Sequence, residues 1–372
     1  MEPSSCEGLV RQVIARDLCT LCGACVGRCP YFMAYRGKIV LRDSCNLEQG
    51  QCYLLCPRVS FDPDAVCRAL FGEPYDWHGL GPVRKIFVAR STEASVKSNA
   101  QYGGVVTSLI AMALDQGIIH SAVLTRSKDR VLTEGMTVSS REAVLECAGS
   151  NYVAAPTIEA LNRDFQNAPA ARVGVVGVPC QVMALAKAKY LGDTGEDNQV
   201  ARPDLVVGLF CTWALSYEGF AAFLETTVSA QKILKVDIPP PPANLLEIRT
   251  PEGRITMPLE EIRPFIRPAC NTCIDMTAEF ADISVGAAEG MEGWNTVIVR
   301  SETGDALLQA ARDRGLVETA DLPEHNLEHL KEASLLKKKR ALKNIIQKSG
   351  TRDDLLYLLA DPAVLEPLLE ED

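Results

Sequence analysis

The sequence is poor in several features that would each have pointed to a class of protein. No apolar run approaches the roughly 18–20 residues that a helix needs to cross a bilayer, so no membrane span is expected. The opening MEPSSCEGLV has no basic stretch followed by an apolar core, so no signal peptide is read and the cytoplasm is the default location. There is no excess of basic residues. The net charge is −10, whereas a nucleic-acid binder needs a positive surface to neutralise phosphates, so nucleic acid is not expected as a partner. Only four histidines occur, His78, His120, His325 and His329. None has the neighbours of a catalytic triad, and no side-chain nucleophile is required. The absence of G-x-G-x-x-G argues against a conventional dinucleotide fold.

What the chain does have is cysteine, fourteen in 372 residues. That length leaves room for two or three domains, and 47% hydrophobic with 23% charged residues is an ordinary globular balance. In a reducing cytoplasm so many thiols are better read as metal ligands than as disulfides. CTLCGACVGRCP places Cys19, Cys22, Cys25 and Cys29 before Pro30. This is the C-x2-C-x2-C-x3-C-P run of bacterial ferredoxins, in which the fourth cysteine serves a second cluster. A second set follows at Cys45, Cys52 and Cys56, the last before Pro57. YRGKIVLRD between them reads as a hairpin. One site is then supplied by Cys19, Cys22, Cys25 and Cys56, and a second by Cys29, Cys45 and Cys52. The second run is one cysteine short, with NLEQGQ where another is expected. Its fourth ligand is Cys6, Cys67, a group other than cysteine, or none, and the second site forming no cluster at all is also open. Zinc is the weaker reading, because zinc sites usually come as two separated C-x2-C pairs.

Residues 61–84 read as a linker with a short helix. From Lys85 short apolar runs alternate with amphipathic helices, the pattern of an α/β domain. KIFVAR, SAVLTR and WNTVIVR are strand-like, and LLEIRTPEGRITMPL is a hairpin around Pro251, Glu252 and Gly253. IPPPPAN is a loop. RVGVVGV and DLVVGLF are continuous β-branched runs, as expected of strands buried on both faces. The first leads into Cys180 and a helix, the second into Cys211 and a helix from about Ser216. Strands joined by one helix are parallel and often adjacent, so both cysteines are expected at one sheet edge, where α/β sheets build their sites. The pair in PACNTCID, Cys270 and Cys273, has no nearby partners and would complete such a set. Buried unligated thiols are the competing reading. In NAQYGGVVTSL, glycines at a helix start leave N–H groups free for a phosphate, although a plain loop-to-helix turn explains them as well.

Taken in order, CTLCGACVGRCP, QCYLLCPR, QYGGVVTSLIAMALDQGII, GSNYV, GVPCQVMAL, GLFC and CNTCIDMTAEFADISVG resemble the beta subunits of coenzyme F420-reducing hydrogenase and F420-dependent formate dehydrogenase. The resemblance covers most of residues 15–300. It implies an oxidoreductase subunit with FAD beside a 4Fe–4S cluster, and coenzyme F420 exchanging hydride with the flavin. It also implies that Cys180, Cys211, Cys270 and Cys273 ligate that cluster. Gly103, Gly104 and Thr107, with Ser150, Asn151 and Tyr152, are implied as flavin contacts. Two features depart from the pattern: the short second cysteine run, and Ala287 where relatives often carry an acidic residue.

The expected architecture is therefore α+β and α/β. A two-cluster ferredoxin-like domain spans 1–60, a linker 61–84, an α/β domain for FAD and a 4Fe–4S cluster 85–300, and a helical C-terminal segment 301–372. The expected cofactors are two to three 4Fe–4S clusters and FAD, with F420 as substrate. Expected partners are other subunits of a redox complex of hydrogenase, formate dehydrogenase or heterodisulfide reductase type. Flavin is the natural converter between one-electron clusters and a two-electron hydride carrier. The same fold using ferredoxin, NAD(P)H or a partner subunit instead of F420 is the alternative, as is a purely electron-carrying subunit. In the tail, EASLLKKKRALKNIIQK is amphipathic and basic on one side, which suits a solvated helix face or a dock for an anionic ligand.

Overall fold

The computed structural model describes residues 4–129, 131–168, 171–193, 201–228, 233–239 and 243–370. The proline run expected as a loop falls largely at 240–242, outside the described residues. Near the N-terminus, β1 (Phe32–Tyr35) and β2 (Lys38–Leu41) form an antiparallel hairpin in which Tyr35 faces Lys38. Arg36 and Gly37 turn it with φ of 47° and 75°. Positive φ at both central residues is what a two-residue turn needs to match the twist of its strands. Phe32 and Ile39 point inward against Leu9, Val13 and Leu18, and the N-terminal cysteines lie in and around this small core.

The expected linker is a packed segment. Asp62 accepts a hydrogen bond from the Ala65 N–H (2.9 Å) and so caps the helix Pro63–Phe71, which Gly72 ends at φ 77°. Tyr75 and Trp77 are buried, and Tyr75 stacks on Phe280 with ring centroids 5.6 Å apart. Composition hid this, because two aromatics set among prolines and glycines carry no periodicity.

The rest of the chain is organised by one eight-stranded sheet. Its strands are β3 (Lys85–Ser91), β4 (Ser121–Asp129), β5 (Leu132–Val138), β6 (Val173–Gly177) and β7 (Leu205–Leu209), then β11 (Ile283–Ala287), β12 (Asn295–Val299) and β13 (Val317–Ala320). Between β7 and β11 the chain forms a separate three-stranded sheet of β8 (Lys235–Asp237), β9 (Leu245–Thr250) and β10 (Gly253–Pro258). The large sheet runs in the order β13-β3-β12-β11-β7-β6-β4-β5. The pairs among β4, β6, β7 and β11 are parallel, and the pairs flanking them are antiparallel. β6 is buried along its whole length, which is why it reads as an unbroken apolar run.

The segment from Ser301 is not helical throughout. It supplies β13, which pairs with β3 at the sheet edge, and the helix Glu302–Asp313 packs Leu307, Leu308 and Ala311 into the sheet's core. VETA is too short and too polar to announce a strand. The long helix Glu324–Ser349 then crosses back over the molecule. Two of the lysines expected on its basic face point inward: Lys338 is fully buried against Glu279 (2.8 Å), and Lys337 donates to the Cys211 carbonyl (2.6 Å). Beyond it, the chain doubles back on Phe61. Phe61 N–H donates to Tyr357 O (2.7 Å), and Leu359 N–H donates to Phe61 O (2.9 Å).

Candidate functional site

β6 and β7 are parallel neighbours in which Gly177 faces Gly208. Chain continuity therefore carries Cys180, at the start of the helix Pro179–Asp193, and Cys211, just past β7, to the same edge of the sheet. Cys270 and Cys273 come from the tight turn Pro268–Thr272 and the residue after it. The Cys211 N–H donates to Met276 O (2.9 Å), and the Ala214 N–H donates to Cys270 Sγ (3.3 Å). These bonds tie the turn to the end of β7. All four cysteines line one cavity with about 440 Å³ of atom-free space, its open mouth included. Burial raises the Cys180 and Cys211 thiol pKa values, and the neighbouring thiols add to the rise.

Cys19, Cys22, Cys25 and Cys56 line a second cavity. Leu21 at φ 62° and Gly23 at φ 90° bend the backbone between the first three. A Cβ on Gly23 would sit 2.6 Å from Pro156 O, so glycine is also required where this loop meets the large sheet's connections. Asn162 Nδ2 donates to the carbonyls of Ala24 (3.1 Å) and Val26 (2.7 Å), which holds the loop down. Burial pushes Cys22 up to about 12, with Cys56 adding to the rise. Cys56 is pushed up to about 11 by burial, against an N–H from Arg58. The remaining predicted thiols, Cys29, Cys45 and Cys52, lie near one another at the same small core. Cys67 does not join them; it packs in a different core, on the helix Pro63–Phe71.

The two cavities adjoin, and Thr20 and Arg58 line both. Arg58 is fully buried. It donates to Thr272 O (3.0 Å) and lies over the Tyr357 ring at 4.2 Å. Burial works against its charge, but Tyr357, Cys273 and Cys180 hold its pKa above the ordinary value.

The six residues implied as flavin contacts are only partly brought together. Gly104, at φ 72°, opens the helix Val105–Asp115, and Thr107 lies in its first turn. Tyr152 reaches the same loop, because its hydroxyl accepts from Gln101 Nε2 (2.6 Å) and from Ile238 N–H (2.9 Å). Ser150 and Asn151 are exposed just before it. The glycines answer first to the protein's own packing. A Cβ on Gly103 would meet Asn295 Oδ1 at 2.6 Å and Ala89 O at 2.8 Å, and the Val105 N–H already donates to Asn295 Oδ1 (3.3 Å). Gln101 Oε1, by contrast, is buried with no donor among the described residues.

Comparison with known proteins supplies the context for this arrangement. Residues 86–162 match the family model described as coenzyme F420 hydrogenase/dehydrogenase, beta subunit N-term, and residues 170–325 match its C-terminal counterpart. The chain is 32% identical to the coenzyme F420 hydrogenase beta subunit of Methanothermobacter thermautotrophicus, over 72% of this chain and 95% of that protein. This chain belongs to the family of coenzyme F420 hydrogenase/dehydrogenase beta subunits. The beta-subunit chain is also 28% identical to a subunit of the F(420)H(2) dehydrogenase of Methanosarcina mazei, over 86% of this chain and 89% of the relative. A chain of the F420-reducing [NiFe] hydrogenase complex from Methanosarcina barkeri superposes with a TM-score of 0.67 at 27% identity, covering 73% of this chain and 94% of that one. No helix among the described residues is long and apolar enough to cross a membrane.

Four cations of this beta-subunit chain went unpredicted, though each touches a cysteine segment. They are Arg58, Lys187, Arg267 and Lys337. Lys187 donates to Cys56 O (2.9 Å), and burial pushes its pKa down to about 8 against the pull of Cys56. Arg267 donates to Cys19 O and Gly37 O, both at 2.9 Å. Arg58 and Arg267 carried a sequence signal, since the first directly follows the Cys56-Pro57 ending and the second directly precedes the Pro268–Thr272 turn. Lys187 and Lys337 become neighbours of these segments only through the fold.

Proposed function

We propose that this chain is an iron–sulfur flavoprotein subunit that passes electrons between coenzyme F420 and 4Fe–4S clusters of a larger cytoplasmic redox complex, through FAD. The observation that carries the reading is the pair of adjoining cavities, each lined by four thiols and sharing Arg58. Cys180, Cys211, Cys270 and Cys273 would hold one cluster. Cys19, Cys22, Cys25 and Cys56 would hold another, in a ferredoxin-like module.

The residues present fit such groups. Arg58 Nε and Arg267 Nε are buried N–H donors with no acceptor among the described residues, and an anionic cluster beside each would supply one. Backbone N–H groups already point at sulfur, from Ala214 to Cys270 and from Arg58 to Cys56. Such bonds, with burial, set cluster potentials. For FAD the fit is narrower. Gln101 Oε1 calls for an N–H or O–H donor, whereas Gly103 and the Val105 N–H are occupied by Asn295. Tyr152, Gly104 and Thr107 would flank the flavin, with Ser150 and Asn151 at its rim.

When bound, the flavin supplies the conversion between hydride and single electrons. The protein's share is placement and electrostatics. Arg58, Arg267, Lys187 and Lys337 put positive charge beside the thiolates and lower the cost of reducing what they hold.

Iron, zinc and flavin content of anoxically purified protein tests the reading, followed by stopped-flow mixing with reduced F420, NADH and NADPH. We expect iron, one FAD per chain, and flavin bleaching by reduced F420 before the clusters respond. Zinc in place of iron would overturn the cluster assignment. Bleaching by NADH or NADPH but not by reduced F420 would overturn the choice of hydride carrier.

A further inference from the structure

We propose that Cys6 is the fourth thiolate of the second N-terminal site, completing Cys29, Cys45 and Cys52. This deepens the iron–sulfur reading above and rests on it. The second cysteine run is one ligand short in sequence, and the fold brings a replacement from outside the run.

Cys6 is buried, at the start of the helical turn Cys6–Leu9. That turn is fixed beside the one carrying Cys52. The Gly50 N–H donates to Ser4 O (2.8 Å), and Ser4 pairs with Gln49 in a short parallel bridge. Cys6 lies two residues after Ser4, and Cys52 lies two after Gly50, so both thiols leave the same backbone clamp. A Cβ on Gly50 would sit 3.2 Å from Cys52 Sγ and 3.8 Å from Ser5 Cα, which shows how closely the two segments approach. The Cys6 thiol lies within electrostatic reach of Cys45 and Cys29. Cys52 in turn feels Cys29, Cys6 and Cys45. Four thiols from three separate stretches thus come near one another beside this clamp.

The other cysteine that could have served does not reach. Cys67 packs among Val66, Tyr75 and Trp77, and the charged groups that act on it are Glu73, Asp64, Glu279 and Arg300, with no other cysteine among them. Chemistry also favours Cys6. The three other donors are thiols, and a cubane takes a fourth thiolate more readily than it takes an amide or hydroxyl from NLEQGQ. Cys6 is held in place by chain segments that are present whether or not a cluster is bound.

The test uses the full chain, purified without oxygen, as wild type and as Cys6→Ala, Cys6→Ser, Cys45→Ala and Cys67→Ala. Iron, acid-labile sulfide and the electron paramagnetic resonance of the dithionite-reduced protein are measured. Circular dichroism checks the fold, and Cys6→Ser is the near-isosteric variant if Cys6→Ala does not accumulate. We expect Cys6 and Cys45 variants to lose or convert the same signal, with up to a third of the iron gone if three cubanes are present. Cys67→Ala should keep every signal. Cys6 variants with full iron and unchanged spectra, beside a Cys45 variant that loses its signal, would overturn the proposal. So would a wild type whose Cys45 variant loses nothing, since the second site would then hold no cluster. A wild type without iron would instead overturn the reading on which the proposal rests.

Discussion

The Cys19 site and the Cys180 site line adjoining cavities with equal numbers of thiols, yet they are built in opposite ways. Three thiols of the first lie within one short loop, and the backbone does the work through Leu21 and Gly23 in left-handed conformations. The second takes its thiols from a helix start, a strand exit and a tight turn, which meet only because β6 and β7 are parallel neighbours. A local site needs a bend. A scattered site needs a finished sheet. The first should therefore tolerate damage to the sheet that the second does not, to the extent that the contacts of Asn162 and Arg267 allow.

The largest effect is expected from Lys338→Met. Lys338 and Glu279 are both fully buried and paired at 2.8 Å beside the segment that carries Cys273. Removing the cation that bonds Glu279, and leaving only Arg300 as positive charge near it, should cost about 3–5 kcal/mol. Denaturant melts should show this, with the Cys180-site signal failing first. A loss below about 1 kcal/mol would mean that Tyr75 and Ser334, which also bond Glu279, suffice.

Smaller in stability but sharper in contrast, Cys180→Ser and Cys273→Ser should each abolish the same paramagnetic signal and leave the N-terminal ones in place. If the two substitutions touched different signals, the scattered set would be wrong. The smallest effect is expected from Arg58→Gln, which removes one positive charge shared by both cavities. Potentiometric titration should find both sites shifted to more negative potential. A shift at one site alone would show that the shared wall does not couple them.

How far the sequence revealed this molecule follows the same division. The ferredoxin spacing was legible because its cysteines lie close together, and the hairpin because YRGKIVLRD sits between the two cysteine sets. β6 and β7 were legible as buried strands, and their parallel pairing followed from the single helix between them. β13 was hidden by its shortness and polarity. The packed role of residues 61–84 was hidden because Tyr75 and Trp77 have no periodic company. The inward turn of Lys337 and Lys338 was invisible in a helix that looked uniformly basic on one face. Cys6 could be named only as one option, since its nearness to Cys45 depends on the Ser4–Gly50 hydrogen bond. Gly103 looked like a ligand contact, but its requirement for glycine comes from Asn295 and Ala89.

The doubling back of the C-terminal segment onto Phe61 has a meaning for the order of synthesis. A ribosome releases the chain from its N-terminus, so the Cys19 loop emerges early with most of its thiols. The Cys180 cavity obtains Lys337 only with the long helix, and Arg58 obtains its aromatic cover only when Tyr357 arrives. The Cys180 site is thus completed late, once Cys270, Cys273 and the long helix have all been made, whereas the N-terminal loop has its four thiols as soon as Cys56 has emerged.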